Sequence, residues 1–157
     1  TVAIARVLGI PQALAETVKR TPAVRVEGPH VAHEEDGRRV FLNAPAPPEA
    51  IGRLCTRGSA GLVPFSHRLA AEEWRSLRLA IKQETVAANI ARCLAAFDEP
   101  PTALVLAGGG ALDDELMRTV SESLRPLRVV VGRADIDGVH GPRFAVARGL
   151  VAMFAQQ

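Results

Sequence analysis

The chain has 157 residues, 48% of them hydrophobic, which is enough apolar material for one ordinary core and too little for two full-sized domains. Nineteen basic residues against 17 acidic ones leave a net charge of only +2, and all but two of the basic residues are arginines interspersed with Asp and Glu. That balance excludes a polyanion-binding face or an acidic tail as a first reading, so no nucleic-acid partner is expected. No apolar run approaches the roughly 18 to 20 residues of a membrane span, and no signal-peptide pattern opens the chain. The expectation is a soluble cytoplasmic protein with no membrane partner and with Cys55 and Cys93 reduced. Because Thr1 rather than Met stands first and helical sequence follows at once, the chain reads as a segment of a longer polypeptide.

In chain order, Val2 to Leu8 favour a helix that Gly9 can terminate, and Pro11 opens a second helix to about Arg20. Pro22 stops it. Val24 and Val26 alternate with Arg25, and 30–33 and 40–42 flank the polar turn Glu34-Glu35-Asp36-Gly37, which predicts a hairpin. Pro45, Pro47 and Pro48 make a connection into a short helix near 49–54, and Gly58, Gly61 and Pro64 punctuate an irregular stretch. Ser66 is placed to cap the longest helix, about 68–97, whose apolar stripe includes Leu79, Val86, Ile90, Cys93, Leu94 and Phe97. Trp74, Leu77 and Ile81 read as packing residues.

After Pro100-Pro101, residues 102–107 form an apolar strand, three glycines follow, and a helix runs over about 112–124. A second strand is expected over 128–131. A loop over 132–141 then leads through Pro142 into a last helix, with Phe144, Val146, Ala147, Leu150 and Phe154 available for packing. This order implies an α/β fold with an adjacent parallel strand pair and flanking helices, beside a small hairpin-containing region; the division is 1–65 and 66–157.

The sharpest chemical signal is Leu104-Val105-Leu106-Ala107-Gly108-Gly109-Gly110-Ala111-Leu112, a strand entering glycines at its carboxyl end. Glycine there lets a ligand approach the backbone. Asp113, Asp114 and Glu115 suit the positive end of their own helix but repel phosphate, which favours a neutral group such as a nucleoside; a tight turn alone is the bland alternative. Glu16 and Lys19 lie three apart on one helix face, as ribose-binding residues or as a solvated ion pair. The third candidate is the loop from Asp135 through Asp137, Gly138 and His140 to Arg143. His30 and His33 lie near Glu34, Glu35 and Asp36, but a hairpin flank supplies converging metal ligands poorly. No catalytic residue and no metal ligand is assigned.

Taken together, ETVKRTP (16–22) with VRVE (24–27), the turn 33–37, VLAGGGAL (105–112) and GVHGPRFAVARGL (138–150) resemble the C-terminal part of the large, ATPase-like subunit of diol and glycerol dehydratase reactivases, in the actin-like ATPase superfamily. The resemblance runs over nearly the whole chain. It implies a subdomain of the actin-like, ribonuclease H-like fold. It also implies that Gly108 and Gly109 border the nucleoside of ATP or ADP, that Glu16 and Lys19 contact adenosine from the opposite lobe, and that Asp137 and Gly138 lie near the same pocket. The phosphate hairpins and magnesium-holding aspartates of that family come from sequence upstream of this chain. The implied partners are the remainder of the large subunit, a small reactivase subunit and a cobalamin-dependent dehydratase, whose damaged cofactor is released under nucleotide control. The family usually has Asn, Arg and Glu at 135, 137 and 140, and Asn at 144, where this chain has Asp135, Asp137, His140 and Phe144. Those differences favour a rival reading, an interaction or scaffold module that has lost nucleotide binding; a sugar-kinase-like lobe is the third, and no catalytic base supports it.

Overall fold

A computed structural model describes residues 1–58, 61–135, 138 and 141–155. The chain divides into two compact units, Thr1–Ile81 and Lys82–Gln157.

The first unit opens with α1 (Val2–Leu8), closed by Gly9 at φ 64°, and α2 (Gln12–Arg20) after Pro11, as the breakers predict. Strands β1 (Ala23–Gly28), β2 (Val31–Glu34), β3 (Arg39–Phe41), β4 (Leu54–Gly58) and β5 (Gly61–Ser66) form one antiparallel sheet in the order β3-β2-β1-β4-β5. Alternation along β1 assigns the faces. Ala23 packs with Ile4, Ala15, Val18, Leu54, Phe65 and Trp74 on the helix side, and Arg25, of the same parity, donates to the Leu69 carbonyl at 2.7 Å. Val24 and Val26 pack on the other side with Ala32, Ala46, Ala50 and Cys55.

Two expectations are corrected here. The helix expected over 49–54 is a single 3-10 turn, Pro48–Ala50, and Leu54 already belongs to β4. Prolines open the turn, the backbone is already extended at Ile51 (φ −63°, ψ 132°), and Gly52 follows at φ 76°. The stretch read as irregular is the β4–β5 hairpin. Leu54, Cys55 and Thr56 are all buried because β4 is covered on both faces, so it lacks the alternation that marks a half-buried strand. Pro64 fits because β5 lies at the sheet edge, where a missing ladder donor costs little.

The long helix α3 (Ala71–Leu94) starts later and ends earlier than predicted. Ser66 Oγ accepts from the N–H groups of Arg68 and Leu69 at 3.3 Å, capping the turn before it. The helix itself is capped by the Glu73 carboxylate, which accepts from the Ala70 N–H at 2.8 Å. Its first half buries Ala71, Trp74 and Arg78. Arg78 donates to both oxygens of Glu35 at 2.6 and 2.8 Å, its guanidinium lies 5.7 Å from the Trp74 ring centroid, and Glu35 also accepts from the Ala23 N–H at 2.7 Å. A buried ion pair thus joins the hairpin turn, β1 and α3.

In the second unit, Val86, Ile90 and Leu94 of α3 pack on β6 (Ala103–Leu106) and α4 (Asp114–Leu124), around Val120, Leu124 and Val129. Cys93 and Phe97, expected in that stripe, are exposed, so it is narrower than the sequence suggests. Strand β7 (Val130–Arg133) pairs with β6 in parallel, from Ala103↔Val130 to Leu106↔Arg133, as predicted. It starts two residues later than expected because Pro126 lies in a 3-10 turn that Arg128 closes at φ 57°. A further 3-10 turn, Pro142–Phe144, leads into α5 (Ala145–Phe154). Val146, Ala147, Leu150 and Phe154, expected to pack, are exposed, and Ala145 is the buried residue of that helix. The architecture is α/β, an antiparallel sheet and a parallel pair with flanking helices. Among the described residues no helix is long and apolar enough to cross a membrane.

Candidate functional site

The glycine turn sits at the carboxyl end of β6, as the sequence predicts. Gly108 has φ 90° and ψ −178°, a region essentially closed to residues with a Cβ. Gly109, Gly110, Ala111 and Leu112 then form a 3-10 turn, with the Ala111 N–H donating to the Gly108 carbonyl at 3.1 Å. A Cβ on Gly108 or Gly109 would meet nothing within 4 Å, whereas one on Gly110 would meet Leu116 Cδ2 at 3.4 Å. A Cβ on Gly110 would thus make ordinary contact with Leu116. Gly108 serves the backbone turn, and Gly109 borders open space without needing a positive φ.

Two motifs that the sequence presents separately meet here. The Gly108 N–H donates to the Pro142 carbonyl at 2.7 Å. Gly141, at φ 60° and ψ −173°, holds the same glycine-only type of conformation on the other side of that bond, and Pro142 is buried. The Gly-Pro-Arg element thus fastens the glycine turn to the start of α5.

The acidic residues after the turn are paired. Asp113 caps α4, its Oδ1 accepting from the N–H groups of Glu115 and Leu116 at 3.0 and 3.2 Å. Lys82 Nζ donates to Asp113 Oδ2 and to Glu115 Oε2, each at 2.7 Å. Arg133 pairs with Asp114. Two cations thus offset three acids, which reduces the repulsion of phosphate implied by the sequence alone.

Glu16 and Lys19 share a face of α2, with Lys19 Nζ donating to Glu16 oxygens at 3.0 and 2.8 Å and to Thr1 Oγ1 at 3.1 Å. The Thr1 hydroxyl and the Arg20 guanidinium also reach the carboxylate. Hydrogen bonding from Lys19 first, then from Thr1, lowers the Glu16 pKa to about 2. This pair belongs to the first unit and the glycine turn to the second.

In the loop after β7, Gly138 donates its N–H to Asp135 Oδ1 at 2.9 Å; Asp137 and His140 lie outside the described residues. Of the hairpin histidines, His33 Nε2 lies 3.1 Å from Glu27 Oε1 and His30 Nδ1 is 3.4 Å from the Leu42 carbonyl oxygen. Among the described residues no three His, Cys, Asp or Glu side chains converge as metal ligands.

The sequence model of the diol dehydratase reactivase ATPase-like domain matches residues 1–154. The chain belongs to that family. It is 37% identical, over 96% of its length, to the diol dehydratase-reactivating factor large subunit of Klebsiella michiganensis and to the propanediol dehydratase-reactivating factor large subunit of Salmonella typhimurium. It spans 26% of the length of each of these curated relatives. Among solved structures, it superimposes on diol dehydratase-reactivating factor in a nucleotide-free form with a TM-score of 0.83 at 35% identity, covering 98% of this chain and 26% of that one. A glycerol dehydratase reactivase gives a TM-score of 0.80 at 29% identity, covering 99% of this chain and 27% of that one.

Sequence reasoning on this reactivase-family chain missed Lys82 and the Pro142 carbonyl. A signal for Lys82 existed: Lys19 and Lys82 are its two lysines, and each grips carboxylates. A backbone carbonyl leaves no signal of its own.

Proposed function

We propose that the chain is the C-terminal lobe of a chaperone-like ATPase that reactivates a cobalamin-dependent diol or glycerol dehydratase, with residues 66–157 as an actin-like subdomain and 1–65 as part of the opposite lobe. ATP and ADP states govern association with the dehydratase and release of its damaged cofactor, together with the rest of the large subunit and a small subunit, in the cytoplasm. The observation that carries this reading is the glycine turn: Gly108 in a glycine-only conformation and Gly109 open to close approach, at a strand's carboxyl end. Such a turn fits the flat face or ribose of a nucleoside. In this reading Gly108 and Gly109 border the nucleoside with Gly138 and Asp137 nearby, and Glu16 and Lys19 hydrogen-bond ribose hydroxyls. Phosphate and Mg2+ ligands are supplied from outside this chain, so the segment does not position the γ-phosphate and does not hydrolyse ATP by itself.

One observation favours the rival reading of a scaffold that has lost nucleotide binding. Glu16 is already held by Lys19, Arg20 and Thr1, and binding ribose through it requires exchanging those partners. Calorimetry on the full-length protein, with ADP and ATP and with or without Mg2+, separates the two. The nucleotide reading expects binding that Gly109→Arg abolishes, because the new side chain occupies the open space. Unchanged nucleotide affinity in that variant removes the glycine turn from the binding site, and no binding by the full-length protein establishes the scaffold reading.

A further inference from the structure

We infer that Lys82 is a positioning residue that sets the charge of the ligand accepted at the Gly108–Gly109 turn, making it compatible with a nucleotide rather than with a neutral nucleoside alone. The inference rests on the nucleoside reading of that turn and adds a residue that the sequence motifs do not include.

Three consecutive acids follow the turn, and Asp113 is linked to it directly, its N–H donating to the Gly110 carbonyl at 3.1 Å. Left uncompensated, they would confront any phosphate-bearing ligand with like charge at short range. Arg133 offsets Asp114 at the surface, where Asp114 is 90% exposed and solvent already screens it. Asp113 and Glu115 are less exposed, and there the offset comes from Lys82, 8% exposed, with one ammonium bonded to both carboxylates. In a chain with 17 arginines, a lysine is suited to this position: its compact ammonium meets two carboxylates at one point, whereas a planar guanidinium fork favours side-on pairing with one. The same contacts fix the cap of α4, so Lys82 acts on the turn through Asp113 without itself touching ligand.

The test uses the full-length protein and compares adenosine with ADP by calorimetry. Lys82→Gln is expected to weaken ADP about tenfold and adenosine by less than about twofold, with the difference shrinking between about 0.05 M and about 0.5 M salt. Adding Asp113→Asn and Glu115→Gln, where Asn preserves a good helix cap, restores ADP affinity in the Lys82→Gln protein. Equal losses for both ligands, a salt-independent loss, or no loss overturns the inference and makes Lys82 a purely structural clamp. Should Lys82→Gln fail to fold, Glu115→Gln alone decides: stronger ADP binding with unchanged adenosine binding supports the charge role, and unchanged ADP binding refutes it. Gly109→Arg distinguishes the two levels of failure. If that variant binds ADP normally, the nucleoside reading itself is wrong; if it abolishes binding while the Lys82 variants leave ADP selectivity intact, only the inference about Lys82 fails.

Discussion

Neighbouring glycines in one turn have different obligations. Gly108→Ala places a Cβ in a backbone region reserved for glycine and is expected to cost about 1–3 kcal/mol in a denaturation midpoint, whereas Gly109→Ala is expected to be close to neutral. Equal losses from the two would show that the turn is not strained at Gly108. Glu16 gives a pH prediction. Its folded pKa is depressed to about 2 by Lys19 and Thr1, so its stabilising contribution is complete above the unfolded carboxylate value of about 4.3 and is lost as pH falls through about 2. A carbon-detected titration that puts its midpoint near 4 would remove the Lys19 interaction from the native state. The glycines and the Glu-Lys pair were legible because spacing and residue type suffice to find them. Which glycine is conformational, which is packed and which is open was not, because it depends on φ and on neighbours such as Leu116 that the linear pattern does not identify.

Among the elements, the start of α3 is tied to the first unit by Trp74 in its core and by the Arg78–Glu35 pair. Glu35→Ala leaves the Arg78 charge in a buried site and removes an acceptor from the Ala23 N–H, so a loss of about 3–5 kcal/mol is expected by chemical denaturation. Replacing both Glu35 and Arg78 by apolar residues of similar volume should cost less than the single change, and a larger loss would mean that specific bonding rather than charge burial dominates. Helices α1, α2 and α4 and the parallel pair were readable because Gly9, Pro11 and the apolar runs mark local boundaries. Strand β4 was hidden because a central strand covered on both faces loses its period of two, and β5 because Gly61 and Pro64 look like loop residues unless their edge position is known. The short helix near residue 50 failed for the opposite reason: local proline signals were right about a turn, but the backbone is extended again at Ile51 after a single one.

Across the whole molecule the two units differ in how much apolar surface they cover. The first has packed groups on both faces of its sheet, while the second buries Val120, Leu124 and Val129 but leaves Val105 and Val130 on its strands, and Val146, Leu150 and Phe154 on α5, exposed. Amide exchange of this chain by itself is therefore expected to protect β1 and β4 most strongly and α5 least, since local opening is cheapest where few apolar contacts close. Comparable protection of α5 and β1 would show that the second unit gains stability from something other than its own core. The sequence pattern could not reveal this difference, because an apolar helix stripe predicts burial without specifying which surface will cover it.

The rarity of lysine has a practical consequence for handling the protein. Within these 157 residues a lysine-specific protease has two sites, after Lys19 and after Lys82, and complete digestion of this chain by itself yields 1–19, 20–82 and 83–157. The second site falls inside a 24-residue helix, beside the point where the compact units divide. Helical backbone must unwind locally before a protease can take it in extended form, so native protein should resist that cut. The rate at which the 83–157 fragment appears, followed by mass spectrometry, consequently measures the opening of one defined turn of α3, with the many arginine sites left untouched.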